Sequence, residues 1–207
     1  FNNDFQSNIK LSKDSKDQFT QRIIYQNQDF IIINKLRGYS VQRGSKVNIS
    51  LKDYYESLLN TNLYIVHRLD KDTMGLMIFA KNRIAASRIS KLFLNNKIHK
   101  FYIASTDNLF KKNTGFLNDT NDENKNLKLL YRKIYLNNST NTYLIKLLTG
   151  KKHQIRLQFF LNNNPIIGDK KFNSKSKFDL QLSSISMNFV YEKQFYKFKL
   201  SLNQIFQ

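Results

Sequence analysis

In residues 67–81 the carboxylate of Asp70 follows His67 and Arg68, precedes Lys71, and stands just ahead of Gly75 and an apolar run ending at Ala80. In a chain with 34 Lys+Arg against 15 Asp+Glu, an acid so placed is either a buried ion-pair partner or a working group. Thr73 and Gly75 shape a turn here. On local pattern alone Asp70 therefore reads as a turn cap paired with Arg68.

A second constellation runs through Thr149, Gly150, Lys151, Lys152, His153, Gln154, Ile155 and Arg156: a strand end, a glycine turn and a helix start carrying cations. A helix N-terminus offers free N–H groups and a positive dipole end, which suits phosphate. The plainer reading of Lys151, Lys152, His153 and Gln154 is a solvated basic helix end. Arg156 does not share that reading, because it sits between Ile155 and Leu157 in an apolar stretch reaching Phe160. A partly buried guanidinium needs a carboxylate, and Asp70 is a candidate. A third residue, Tyr102, alternates with Ala104 onto one face of a strand and by itself reads as packing.

Other chemistries are poorly served. The chain has no cysteine, which removes disulfides and thiol catalysis, and His67, His99 and His153 lie too far apart in sequence for a helical metal pair. Its six glycines form no phosphate-binding loop. Chemistry without metal or cofactor is what the residue types leave.

These groups need positioning elements. Residues 22–25 and 30–34 read as paired strands, and Ser50 caps a helix whose apolar positions Leu51, Tyr54, Tyr55, Leu58 and Leu59 follow helical spacing. A short strand over 63–66 enters the Asp70 segment and a strand over 75–81 leaves it. Asn82 caps a second helix, and 100–105 alternates as a strand. The Asn/Asp-rich residues 113–126 read as a mobile loop. Residues 127–136 and 142–149 form a hairpin turning at 137–141, a basic helix covers 153–161, and 178–191 with 195–202 makes a final hairpin. Residues 1–20 are polar, without periodicity, and read as a tail. Strands mostly in hairpin order predict an α+β fold on a largely antiparallel sheet.

At 207 residues, 41% hydrophobic, the chain suits one globular domain. No apolar run approaches the ~20 residues of a membrane span, and no basic amphipathic helix or lipidation signal points to a membrane. A net charge of +19, with Tyr and Phe interleaved among lysines, points to nucleic acid. Part of that charge reflects AT-rich codon usage, since the chain holds 26 Lys and 26 Asn. Such bias is compatible with a bacterial cytoplasm or with a mitochondrial matrix protein.

Taken together the motifs resemble the RluA family of RNA pseudouridine synthases, over most of residues 22–190. His67-Arg68-Leu69-Asp70 with Thr73, Gly75-Leu76 and Ala80-Lys81 is similar to the family's HRLDxxTSGLLLxAK. The segment from Asp29 through Asn34-Lys35 to Gly38 resembles DxxLxVxNKPxG, and Lys100, Tyr102 and Ala104 match KxYxA. Gly150 to Arg156 resembles GRTHQIR, followed by Pro165-Ile166-Ile167-Gly168-Asp169 for PIxGD. Leu36, Met74, Lys151-Lys152 and Ser183 depart from the usual residues.

The resemblance implies a pseudouridine synthase catalytic fold over 21–207, a mixed sheet with flanking helices and a central RNA-binding cleft, without an S4 domain. It implies isomerisation of uridine in ribosomal or transfer RNA by a monomeric domain, on free RNA or on a ribosomal particle, with no cofactor and no metal. Asp70 would be the catalytic carboxylate, attacking ribose carbon 1′ or taking a proton from carbon 2′. Arg156 would pair with it, and Tyr102 would stack on the uracil. Arg68 would fill the space left by the displaced nucleotide. His67, Lys71, Lys151, Lys152, His153 and Gln154 would contact RNA, so affinity should fall steeply with salt. A catalytically idle, ribosome-associated assembly protein is the alternative, and joint retention of Asp70, Tyr102 and Arg156 argues against it.

Overall fold

The structure, a computed structural model, describes residues 9–44, 47–135, 140–172 and 177–205. Ten strands form one mixed sheet: β1 Ile23–Gln26, β2 Phe30–Lys35, β3 Tyr64–Ile65, β4 Met74–Ala80, β5 His99–Thr106, β6 Thr114–Thr120, β7 Asn126–Ile134, β8 Asn141–Leu147, β9 Leu182–Tyr191 and β10 Gln194–Lys199. Four α-helices accompany them among the described residues: α1 Lys13–Thr20, α2 Leu51–Leu59, α3 Arg83–Leu94 and α4 Gln154–Leu161. The strand order is β1-β2-β4-β9-β5-β8-β7-β6, with β3 against β4 and β10 against β9. Every pairing is antiparallel except β4 with β9. The α+β class and the largely antiparallel mixed sheet are therefore as the sequence implied.

Two apolar layers hold the sheet. One face packs Phe19, Ile31, Ile33, Phe79, Tyr143, Ile145 and Phe159; the other packs Phe30, Ile32, Ile78, Ile89, Met187 and Phe189. Strands β2 and β4 are buried along their whole length, which is why they read as continuous apolar runs rather than alternating ones. Local signals set the helix starts. Ser50 and Asp53 form a reciprocal capping box on α2, and the Asn82 side chain accepts the Ala85 N–H to begin α3.

Two expected irregular regions are regular. Within the 1–20 tail, residues 13–20 form α1, capped by Ser12, and Phe19 is buried in the core. Phe19 stacks on Tyr54 of α2 with ring centroids 4.6 Å apart, so one aromatic anchors an otherwise polar helix. The 113–126 loop is instead β6, a turn, and the start of β7. As an edge strand β6 buries only Leu117, so its polar residues face solvent without interrupting the ladder. The hairpin turn expected at 137–141 lies largely outside the described residues, as do residues 1–8 of the tail.

The sheet has one pinch that positions the site. Strands β4 and β9 pair in parallel only over Met74–Gly75 with Ser183–Ser184. Gly75 has φ +103°, and a Cβ there would lie 2.1 Å from the Ser184 carbonyl oxygen. Only glycine permits both that conformation and that approach. Asp70 lies four residues before this pinch, and Tyr102 lies opposite Ser184 across the β5–β9 ladder.

Candidate active site

The turn carrying Asp70 is pinned from below. Lys35, at the end of β2, is buried, and its ammonium donates to three carbonyls: Leu36 at 2.9 Å, Lys71 at 2.7 Å and Thr73 at 2.9 Å. Three acceptors take all three protons that an ammonium offers. Burial pushes the Lys35 pKa down to about 7, against the opposing pull of Asp72 and Asp70. Gly38 N donates to the Lys71 carbonyl at 3.0 Å, and Thr73 N closes the turn onto the Asp70 carbonyl at 3.1 Å. The backbone around Asp70 is fixed before its side chain meets a partner.

That side chain meets two. Arg156 Nη1, from α4, lies 3.2 Å from Asp70 Oδ2, and His153 Nδ1 lies 2.9 Å from the same oxygen. Burial favours the neutral acid, but hydrogen bonds and charge from His153 and Arg156 outweigh it and hold the carboxyl below its ordinary range. Arg156 is held in turn by Asp169: Nε donates to Oδ2 and Nη2 to Oδ1, both at 2.7 Å. The guanidinium is buried, with Phe172 5.7 Å away across its face. This is the bidentate geometry for which arginine suits better than lysine.

Asp70, Tyr102 and Arg156 line one cleft of about 490 Å³, together with Leu69, Phe93, Leu147 and Leu182. Tyr102 is buried, and burial raises its phenol pKa, with the Asp70 charge adding to the effect. It is therefore a neutral ring with one apolar face, suited to packing against a base. Arg68 is exposed at the cleft wall, Lys151 lines it from the other side, and Lys71 and Lys152 are exposed nearby in sequence.

Three residues expected to contact RNA are engaged otherwise. Ile78 N donates to His67 Nε2 at 3.0 Å, where β3 has run out and the ring replaces a strand partner. The His67 ring stacks on Phe93 at 4.4 Å, and burial with Lys100 nearby pushes its pKa down to about 3. His67 accepts a hydrogen bond that ties the Asp70 segment to β4. Gln154 is buried and spends its amide on four bonds: it accepts from Thr149 Oγ1 and Lys151 N, and donates to the Lys128 carbonyl and Gln158 Oε1. It builds the Gly150 turn from inside. His153 faces Asp70, as described.

Sequence reasoning missed Asp169, Lys35 and Lys100 as parts of the site. A buried Arg156 called for more than one acid, and Asp169 in the Pro165–Asp169 segment was available. Lys35 was legible as a cation closing a strand that opens with four apolar residues, Phe30 to Ile33. Lys100 lines the cleft with its ammonium 5.6 Å from the Phe93 ring, and burial lowers its pKa. Among the described residues no group of three or more His, Cys, Asp or Glu could hold a metal ion, and no helix is long and apolar enough to cross a membrane.

The profile of the RNA pseudouridylate synthase family matches residues 29–160, which spans β2 through α4 and so includes Asp70, Tyr102 and Arg156. The chain belongs to this family. Within it, relatives named as ribosomal large subunit pseudouridine synthases place it in the RluA branch. A ribosomal large subunit pseudouridine synthase C from Rickettsia bellii is 32% identical over 171 residues, covering 74% of this chain and 57% of the relative. An uncharacterized RNA pseudouridine synthase from Haemophilus influenzae is 33% identical over 160 residues, covering 71% of each chain. This family member thus spans about 60% of the length of the Rickettsia relatives. Among solved structures, human RNA pseudouridylate synthase domain containing 4 has the same fold, with TM-score 0.77, 20% identity and 90% of each chain covered.

Proposed function

We propose that this chain isomerises uridine to pseudouridine in RNA, with Asp70 as the catalytic carboxylate. The observation that carries the reading is Asp70 inside a cleft, braced by a buried arginine, in a chain of the pseudouridylate synthase family. Asp70 either attacks ribose carbon 1′ or removes a proton from carbon 2′. Each route breaks the bond from carbon 1′ to N1 of the uracil. The base stays in the cleft, turns, and rejoins carbon 1′ through its carbon 5. The proton lost from carbon 5 is balanced by one gained at N1. One carboxylate suffices because the leaving base is the incoming nucleophile and no water is activated.

Tyr102, which lines the cleft, packs on the uracil while it turns and assists loss of the carbon 5 proton. Arg156 keeps Asp70 ionised and aimed. Arg68, Lys71, Lys151 and Lys152, all exposed, hold phosphates around the flipped nucleotide. The substrate we assign is large-subunit ribosomal RNA, supported by the names of the Rickettsia relatives. The setting is a bacterial cytoplasm or, given the AT-biased composition, a mitochondrial matrix. Mapping pseudouridines in cellular RNA with and without this protein tests the reading. Loss of one or a few ribosomal pseudouridines is expected, and an unchanged map would contradict it.

A further inference from the structure

Both donors at Asp70 converge on one oxygen. Arg156 Nη1 and His153 Nδ1 reach Oδ2 at 3.2 and 2.9 Å, and lie 3.3 Å from each other because they share that target. Among the described residues Oδ1 has no hydrogen-bond partner. The carboxylate is thus held by one oxygen and offers the other.

His153 serves this arrangement at a local cost. It is the N-cap residue of α4, with φ +54° and ψ +21°, a left-handed conformation uncommon for residues other than glycine. Its side chain makes no capping hydrogen bond to the helix. The ring touches Asp70 instead. Arg156 offers Asp70 Nη1 alone, since Asp169 takes Nε and Nη2, so His153 supplies the second donor at Oδ2.

We propose that His153 is a positioning residue for Asp70: by donating from Nδ1 to Oδ2 beside Arg156, it turns Oδ1 toward the ribose as the reacting oxygen. This rests on the reading of Asp70 as the catalytic carboxylate. It requires the Nδ1–H form of the ring, which leaves Nε2 available to the substrate. The charged groups that meet the ring are Asp70 and Arg156, and Lys151 and Lys152 precede it in the chain.

The test uses two substitutions that both suit a positive φ. His153→Gly removes the ring, and His153→Asn restores an N–H donor near the place of Nδ1. Both variants should remain folded, with a cooperative thermal melt. His153→Gly should reduce kcat for pseudouridine formation ~10- to 100-fold, the effect of losing a hydrogen bond to a charged group, with KM for RNA little changed. His153→Asn should recover most of that loss. In the free protein the Asp70 carboxyl, followed by carbon-13 NMR, should titrate at higher pH in His153→Gly than in wild type. Wild-type kcat in His153→Gly, or an Asn variant no better than Gly, would overturn the proposal. If the wild-type chain forms no pseudouridine, the activity reading fails, and the titration alone decides: an unmoved Asp70 overturns the role of His153.

Discussion

Asp169 grips Arg156 through two hydrogen bonds of 2.7 Å and leaves Nη1 to reach Asp70 at 3.2 Å. The two acids stand 99 residues apart in sequence, and one guanidinium joins them. Asp169 is itself fixed, because Oδ1 accepts from Lys171 N at 3.0 Å and Phe172 N at 3.2 Å. Orientation therefore passes from a backbone turn to Asp169, to Arg156, and then to the carboxylate in the cleft.

Asp169→Asn should break that chain without touching the cleft wall. An amide has a single accepting oxygen where the carboxylate has two, so Arg156 loses one bond and its buried counter-charge. We expect kcat to fall ~10-fold or more, and stability to fall by about 3 kcal/mol, the scale of breaking a buried ion pair. Urea unfolding with steady-state kinetics measures both. A variant with wild-type values would show that Asp169 does not orient Arg156.

The pH dependence follows from the depressed Asp70 pKa. A carboxylate with a folded pKa below its unfolded value adds stability that is present above the unfolded pKa, about 3.9, and is lost as pH falls through the folded one. Rate should follow the same ionisation, so Asp70 should set an acid limb of kcat below about pH 4. Arg156→Met removes one stabilising cation and should move that limb to higher pH. Rates across pH 3.5 to ~7 would show it. A limb that stays in place would mean Arg156 does not hold the charge on Asp70.

Lys35→Met should destabilise the fold. Its methylenes are replaced, but three carbonyls lose their shared donor, at about 1–3 kcal/mol for each that stays dry. We expect a loss of about 3 kcal/mol in denaturant unfolding, with reduced activity because the Asp70 turn loosens. A change within ~0.5 kcal/mol would show that Lys35 does not hold the Asp70 turn.

Much of this was legible in the chain because the signals were local. Ser50 and Asn82 cap their helices through neighbours three residues away, and β2 and β4 declare burial by unbroken apolar runs. The missed elements owe their state to partners elsewhere. Helix α1 depends on Phe19 meeting Tyr54, and β6 depends on pairing with β7. At the site, Arg156 stood out because an arginine in an apolar run asks for an acid. Gln154 did not, since a polar residue beside Lys151 and Lys152 looks solvated until its four internal bonds are seen. Asp169 was hidden by its place in a turn, where an aspartate has an ordinary local use.

The most direct measurement is pseudouridine formation by Asp70→Asn against wild type, with purified protein and large-subunit ribosomal RNA. Asparagine keeps the size of the side chain and removes its charge. The account predicts wild-type product at specific uridines, no detectable product from the variant, and RNA affinity within ~2-fold of wild type, because phosphate contacts dominate binding. Turnover by Asp70→Asn at the wild-type rate would contradict it.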